Sequence, residues 1–106
     1  MKLKGKVAIV TAASSDRGSA IAELLASEGA AVTINYLKNR KNAESVLERI
    51  ESRGGKAMVR QADVTLKASV NKMVKDTIKK FGCIDILVNN AHGAIKRKCQ
   101  IRYKDW

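Results

Sequence analysis

The feature that most constrains this chain is an alternation: short apolar runs suited to strands are separated by stretches whose apolar residues recur every third or fourth position. Val7 to Thr11 (V-A-I-V-T) is almost continuously apolar, the pattern of a strand buried on both faces of a parallel sheet. Ala20, Ile21, Leu24 and Leu25 then follow at helical spacing, and Gly29 stands where a helix would end. The unit repeats. Ala31 to Tyr36 (A-V-T-I-N-Y) is rich in β-branched residues, and Ala43, Val46, Leu47 and Ile50 form the next helical stripe, closed by Gly54-Gly55. Ala57 to Gln61 reads as a third strand. Thr65 is expected to cap a helix with the stripe Val70, Met73, Val74, Ile78 and Phe81, ended by Gly82, before a fourth strand at Ile84 to Asn89.

Strands that alternate with helices are joined by right-handed crossovers, so the expectation is a parallel sheet covered on both faces. In such sheets a ligand binds beyond the carboxyl ends of the strands, where the strand order reverses. Four segments are expected there: Thr11 to Gly18, Asn35-Tyr36, Asp63-Val64 and Asn89-Asn90-Ala91.

Those segments carry a resemblance. Together with the wording L-K-G-K-V-A-I-V-T and I-D-I-L-V-N-N-A, they are similar to the first half of short-chain dehydrogenase/reductases, which reads strand, T-G-x-x-x-G-x-G, helix, strand, helix, strand, D-V, helix, strand, N-N-A-G. Members that reduce 3-oxoacyl-ACP are nearest in wording, and Ala91-His92-Gly93 is also similar to a branch of enoyl-ACP reductases. The resemblance implies a truncated Rossmann-like, doubly wound α/β sheet of about four strands in the order 3-2-1-4, with residues 1–93 as a dinucleotide-binding half-domain. Residues 94–106 would form a basic C-terminal tail. It also implies NADPH-dependent reduction of a carbonyl or enoyl group in a full-length relative.

By the same resemblance, Thr11, Ser14, Ser15, Arg17 and Gly18 line the cofactor diphosphate and adenosine ribose. Asp63 and Val64 meet the adenine, and Asn89, Asn90 and Ala91 flank the nicotinamide ribose. Each polar residue also has a plain structural alternative: Thr11 as the end of a strand, Asn89 and Asn90 bonding loop backbone, Asp63 holding the turn after it. At the tip of the second strand, enzymes selecting NAD carry an acid for the ribose 2′-OH, whereas a basic group suits the 2′-phosphate of NADP. Here Asn35-Tyr36 is followed by Lys38, Arg40 and Lys41, with no acid before Glu44, which favours NADP(H) over NAD(H).

Two departures stand out. In the phosphate loop, aligned without gaps, Ala12 and Asp16 replace two of the three glycines of the Rossmann fingerprint; in an alternative register Arg17-Gly18 match the start of an R-G-I-G loop shortened by two residues, and in both only Gly18 remains. Ala12 is expected to be tolerated if its φ stays negative. Asp16 is expected to cap the following helix and to weaken cofactor binding, because a carboxylate about 4 Å from a phosphate is repelled by roughly 4 kcal/mol at an effective dielectric of 20. The second departure concerns chemistry. The family's Ser and Tyr-x-x-x-Lys residues find no counterpart: Tyr103-Lys104 are adjacent and cannot share a helix face as i and i+4 do, so no catalytic residue is assigned.

Composition narrows the remaining classes. With 21 Lys and Arg against 10 Asp and Glu the formal charge is +11, which suits a polyanionic partner, although many of these charges would simply be solvated. Aromatic residues make up 4% of the chain and do not interleave with the basic ones, which argues against nucleic acid. Cys83 and Cys99 lack the paired spacing of a metal site and are expected as free thiols. No stretch approaches a membrane span, and a cytoplasmic location is expected. A second functional class therefore stays open: a non-catalytic interaction module, forming a homo- or hetero-oligomer by pairing its open sheet edge with a full-length subunit, or binding polyanions through its basic surface.

Overall fold

The structure is a computed structural model and describes residues 2–90. The order of elements is β1 (Val7–Val10), α1 (Asp16–Ser27), β2 (Ala31–Tyr36), α2 (Arg40–Ser52), β3 (Lys56–Gln61), α3 (Lys67–Phe81) and β4 (Ile86–Val88). All strand pairs are parallel and the sheet order is β3-β2-β1-β4, the doubly wound arrangement expected. Strand order reverses between β1 and β4, so the loops after these strands flank a crevice.

The larger core lies on the face covered by α1 and α2. Val10, Ala22, Ala26, Val32, Ile34, Tyr36, Val46 and Ile50 are all buried in it. The opposite face carries α3, where Ile9, Ala62, Met73 and Ile84 form a smaller cluster. A buried polar pair joins that face: the hydroxyls of Thr33 and Thr77 lie 2.9 Å apart, and Thr77 Oγ1 lies 2.8 Å from the Met73 carbonyl. Donating to that carbonyl leaves Thr77 Oγ1 to accept from Thr33, so neither hydroxyl is left unsatisfied in the interior.

Three local expectations need correction. α1 does not bury Ala20 and Leu24; it packs through Gly18, Ala22 and Ala26, and Leu24 is 63% exposed. Small residues at i, i+4 and i+8 let the helix axis approach the sheet closely, with Ile21 and Leu25 half-buried at the flank of the core. α3 is likewise rotated: Val70, Met73 and Thr77 face inward, whereas Ile78 is 43% exposed. Thr65 does not cap α3. The cap position is Leu66, without a side-chain bond, because Asp63 has already engaged the Thr65 hydroxyl and amide. Cys83 is a free thiol on the surface, and Cys99 lies outside the described residues.

Candidate functional site

The loop between β1 and α1 begins at Thr11, which is fully buried. Its amide donates to the Val88 carbonyl (3.0 Å) and its hydroxyl accepts from the Asn90 amide (2.8 Å), locking the start of the loop to the end of β4. Ala12 follows with φ +51°, in the left-handed region. The negative φ that would have made alanine harmless here is not adopted; an L-residue in this region costs about 1–2 kcal/mol. Such a conformation persists only where neighbours over-determine it. The Ala12 amide donates to Asn35 Oδ1 (3.1 Å), the next amide, of Ala13, donates to the Asn35 carbonyl (2.8 Å), and the Ala12 carbonyl accepts from Ser15 Oγ (2.8 Å) and Asn90 Nδ2 (3.2 Å). The loop thus takes the turn that a first glycine normally makes, with alanine in its place.

At the helix start the cap is Ser15, not Asp16. Ser15 Oγ accepts from the Gly18 amide (3.1 Å) and from Asn90 Nδ2 (3.3 Å). Asp16 is instead the first residue of α1, exposed to solvent, where its charge complements the positive end of the helix dipole. Ser15 has the extended backbone that a cap residue needs, whereas Asp16 is already helical. Gly18 is buried behind this cap. A Cβ there would run into the Ala12 carbonyl oxygen and lie 2.7 Å from Ala13 Cα and 2.8 Å from Asn90 Nδ2. That close approach of helix and loop explains why this glycine, alone of the three, is retained.

The remaining segments frame the same edge. Asn35 is 2% exposed, and its amide nitrogen donates to the Ala62 carbonyl (3.1 Å), so one side chain ties the β1–α1 loop to the ends of β2 and β3. The Tyr36 side chain lies in the α1–α2 core. Asp63 accepts from the Thr65 hydroxyl (2.6 Å) and amide (2.9 Å), which holds its carboxyl below the usual range, the hydroxyl being the stronger cause. Its own amide donates to Ser69 Oγ (2.9 Å), and Val64 is buried beside it. Ser14 and Asn89 are half-buried at the same edge, Arg17 is exposed, and Ala91 lies outside the described residues, as does the tail from 94 onward. Of the basic residues after β2, Arg40 is paired with Glu44 (3.0 Å).

Two features of this edge had no counterpart in the sequence expectations. Leu37 is 45% and Leu66 56% exposed, apolar side chains held in water in the turns that follow the β2 and β3 strand ends. The only prior signal was a leucine inside each polar turn. Asn35, a candidate ligand residue from its place at the strand tip, instead braces the loop with its side chain. The usable clue was that Asn is depleted in strands and sits here inside a β-branched run, which calls for a side-chain hydrogen bond.

The profile of the short chain dehydrogenase family matches residues 6–105. The chain belongs to this family. An oxidoreductase of Methylorubrum extorquens is 47% identical over 90 residues, covering 85% of this chain and 36% of that relative. The 3-oxoacyl-acyl-carrier-protein reductase of Staphylococcus epidermidis is 40% identical over 100 residues, 94% of this chain and 41% of the reductase. A short chain dehydrogenase from Burkholderia cenocepacia, solved in complex with NADP, superposes with a TM-score of 0.84 at 38% identity, covering 99% of this chain and 43% of that one. The chain therefore spans well under half the length of these family members. Among the described residues no helix is long and apolar enough to cross a membrane.

Proposed function

We propose that this chain is the NADP(H)-binding portion of a short-chain dehydrogenase/reductase, and that the whole enzyme transfers hydride from the cofactor to a carbonyl or enoyl substrate. The observation that carries this is the left-handed turn at Ala12 closed over Gly18 by Ser15 and Asn90, at the amino end of α1. A helix N-terminus reached by a tight turn offers backbone amides and the positive end of the helix dipole to a diphosphate, and Gly18 lets helix and loop pack closely behind it. The residues present therefore suit the cofactor's backbone-held half. The bound nicotinamide supplies hydride chemistry. This chain's own residues bind and orient: Ser15 and Asn90 hold the loop, Asp63 and Val64 offer the adenine edge, and Lys38 and Lys41 carry positive charge toward a 2′-phosphate.

Binding is weak in this proposal, because Asp16 sets a carboxylate on the first turn of α1 where the diphosphate approaches. Its exposure to solvent reduces the repulsion well below the figure for a buried pair. Tyr36 has Arg40 rather than a lysine four residues on, so proton donation is not assigned to it. NADPH and NADH titrated against the protein and against Asp16→Gly provide the test. The expected result is tighter binding of NADPH than NADH, and about a tenfold gain for NADPH on removing the carboxylate. Equal affinities for the two proteins would remove Asp16 from the account, and no binding by either would remove the site.

One observation favours the second class of function as well. Ile86, Leu87 and Val88 of β4 are all half-exposed at the sheet edge, a surface suited to pairing with a further strand. Sedimentation of the protein alone and with a full-length family member checks this.

A further inference from the structure

At the opposite edge of the sheet, where the strands begin, lies a cavity of about 580 Å³. Its wall carries six cationic side chains, Lys4, Lys6, Arg49, Arg53, Lys56 and Lys80. They arrive from four separate places: the turn before β1, the last turn of α2 and the residue after it, the start of β3, and the end of α3. Glu23 is the one acid among the lining residues, and it is taken by Arg49, whose Nε and Nη2 both lie 3.1 Å from Glu23 Oε2; beside the cavity, the Asp85 carboxylate accepts from the Val7 amide (2.9 Å) and is attracted by Lys6. The other five cations form no ion pair among the described residues.

Three helices, α1, α2 and α3, end at this edge, and their carbonyl ends contribute roughly −0.5 charge each. Roughly −1.5 from the helix ends, together with the Asp85 carboxylate near Lys6, leaves part of the charge of the five cations uncompensated. The six cations are all exposed to solvent, and a concave surface of one sign attracts counter-charge from it. The volume falls within the roughly 300–1,000 Å³ typical of small-molecule sites. Strands of four to six residues separate this edge from the phosphate loop by about 13–20 Å, too far for the cavity to be part of the same diphosphate cradle.

We propose that this cavity is a second, separate anion site that takes a small molecule carrying clustered phosphate groups. Arg53 and Lys56 bind it from the α2–β3 turn, and Lys4, Lys6 and Lys80 close around it. Inorganic tripolyphosphate is the probe, titrated calorimetrically into the full chain at about 0.15 M salt, where exposed charges more than about 8 Å apart are largely screened. The expected result is one site per chain, orthophosphate binding at least tenfold more weakly than tripolyphosphate. Arg53→Gln with Lys56→Gln, and separately Lys4→Gln with Lys80→Gln, lower the affinity at least tenfold while melting with the parent. Arg17→Gln, at the phosphate loop, leaves it unchanged. Amide shifts in the unaltered protein give a second readout that needs no variant, and they are expected at Gly54 to Lys56. Several weak sites per chain, affinity insensitive to both pairs, dependence on Arg17, or shifts confined to residues 12–18 would each overturn the proposal.

Discussion

The two ends of the sheet are built on opposite principles. At the carboxyl end, neutral side chains spend their hydrogen bonds on the protein itself: Thr11, Ser15, Asn35 and Asn90 fasten one loop to three strand ends. At the amino end, cations line an open cavity and glycines turn the chain. The difference teaches that a tight β1–α1 loop can hold its shape with alanine at its left-handed turn, provided side chains from other segments impose it. Gly18 has a crowded surrounding, whereas a Cβ at Gly54 would meet nothing within 4 Å.

Substitutions should separate the ends in that order. Gly18→Ala is expected to destabilise by about 3 kcal/mol, since backbone must shift to admit the methyl; Gly54→Ala should cost only about 1 kcal/mol, from its left-handed backbone alone. Urea denaturation distinguishes them, and equal costs would break the comparison. Asn90→Ala removes the amide that serves Ala12 and Ser15 and should cost about 2 kcal/mol, with weaker cofactor binding. Ala12→Gly runs the other way: relief of the left-handed strain, partly offset by a more flexible unfolded chain, should stabilise by about 1 kcal/mol in a thermal melt. Arg53→Gln at the amino end should change stability by less than about 0.5 kcal/mol.

The smallest effect is in acid. Thr65 holds the Asp63 carboxyl below its usual range at one end, and the Val7 amide, followed by the Cys83 thiol, does so for Asp85 at the other. A depressed folded pKa means that each stabilising contribution is present at neutral pH, above the unfolded value near 4, and is lost as pH falls through the folded value. Asp63→Asn and Asp85→Asn should therefore each flatten the stability profile below about pH 4. The Asp85 carboxylate, by accepting from Cys83, also raises the thiol pKa, so this cysteine should alkylate more slowly at pH 8 than in Asp85→Asn.

Much of the fold was legible because strands and helices alternate cleanly and each βα unit carries its own period; even the strand order followed from the family pattern. The facing of the helices was not. Counting large apolar residues put Leu24 and Ile78 inside, but packing distance decided for Gly18, Ala22 and Ala26 in α1, and a satisfied hydroxyl admitted Thr77 in α3. At the candidate site, the segments that meet were legible and their mutual bonding was not. That Ser15 outcompetes Asp16 for the cap, and that Ala12 turns left-handed, depend on Asn35 and Asn90, which are 23 and 78 residues away from Ala12 along the chain.

The central claim is that the carboxyl end alone receives the nucleotide. Amide chemical shifts followed during an NADPH titration test it most directly. Perturbations gathered at residues 11–18, 35–38, 62–65 and 88–90, with Gly54 to Lys56 unmoved, are the result expected; shifts centred on the amino-end cavity, or none at saturating cofactor, would contradict it.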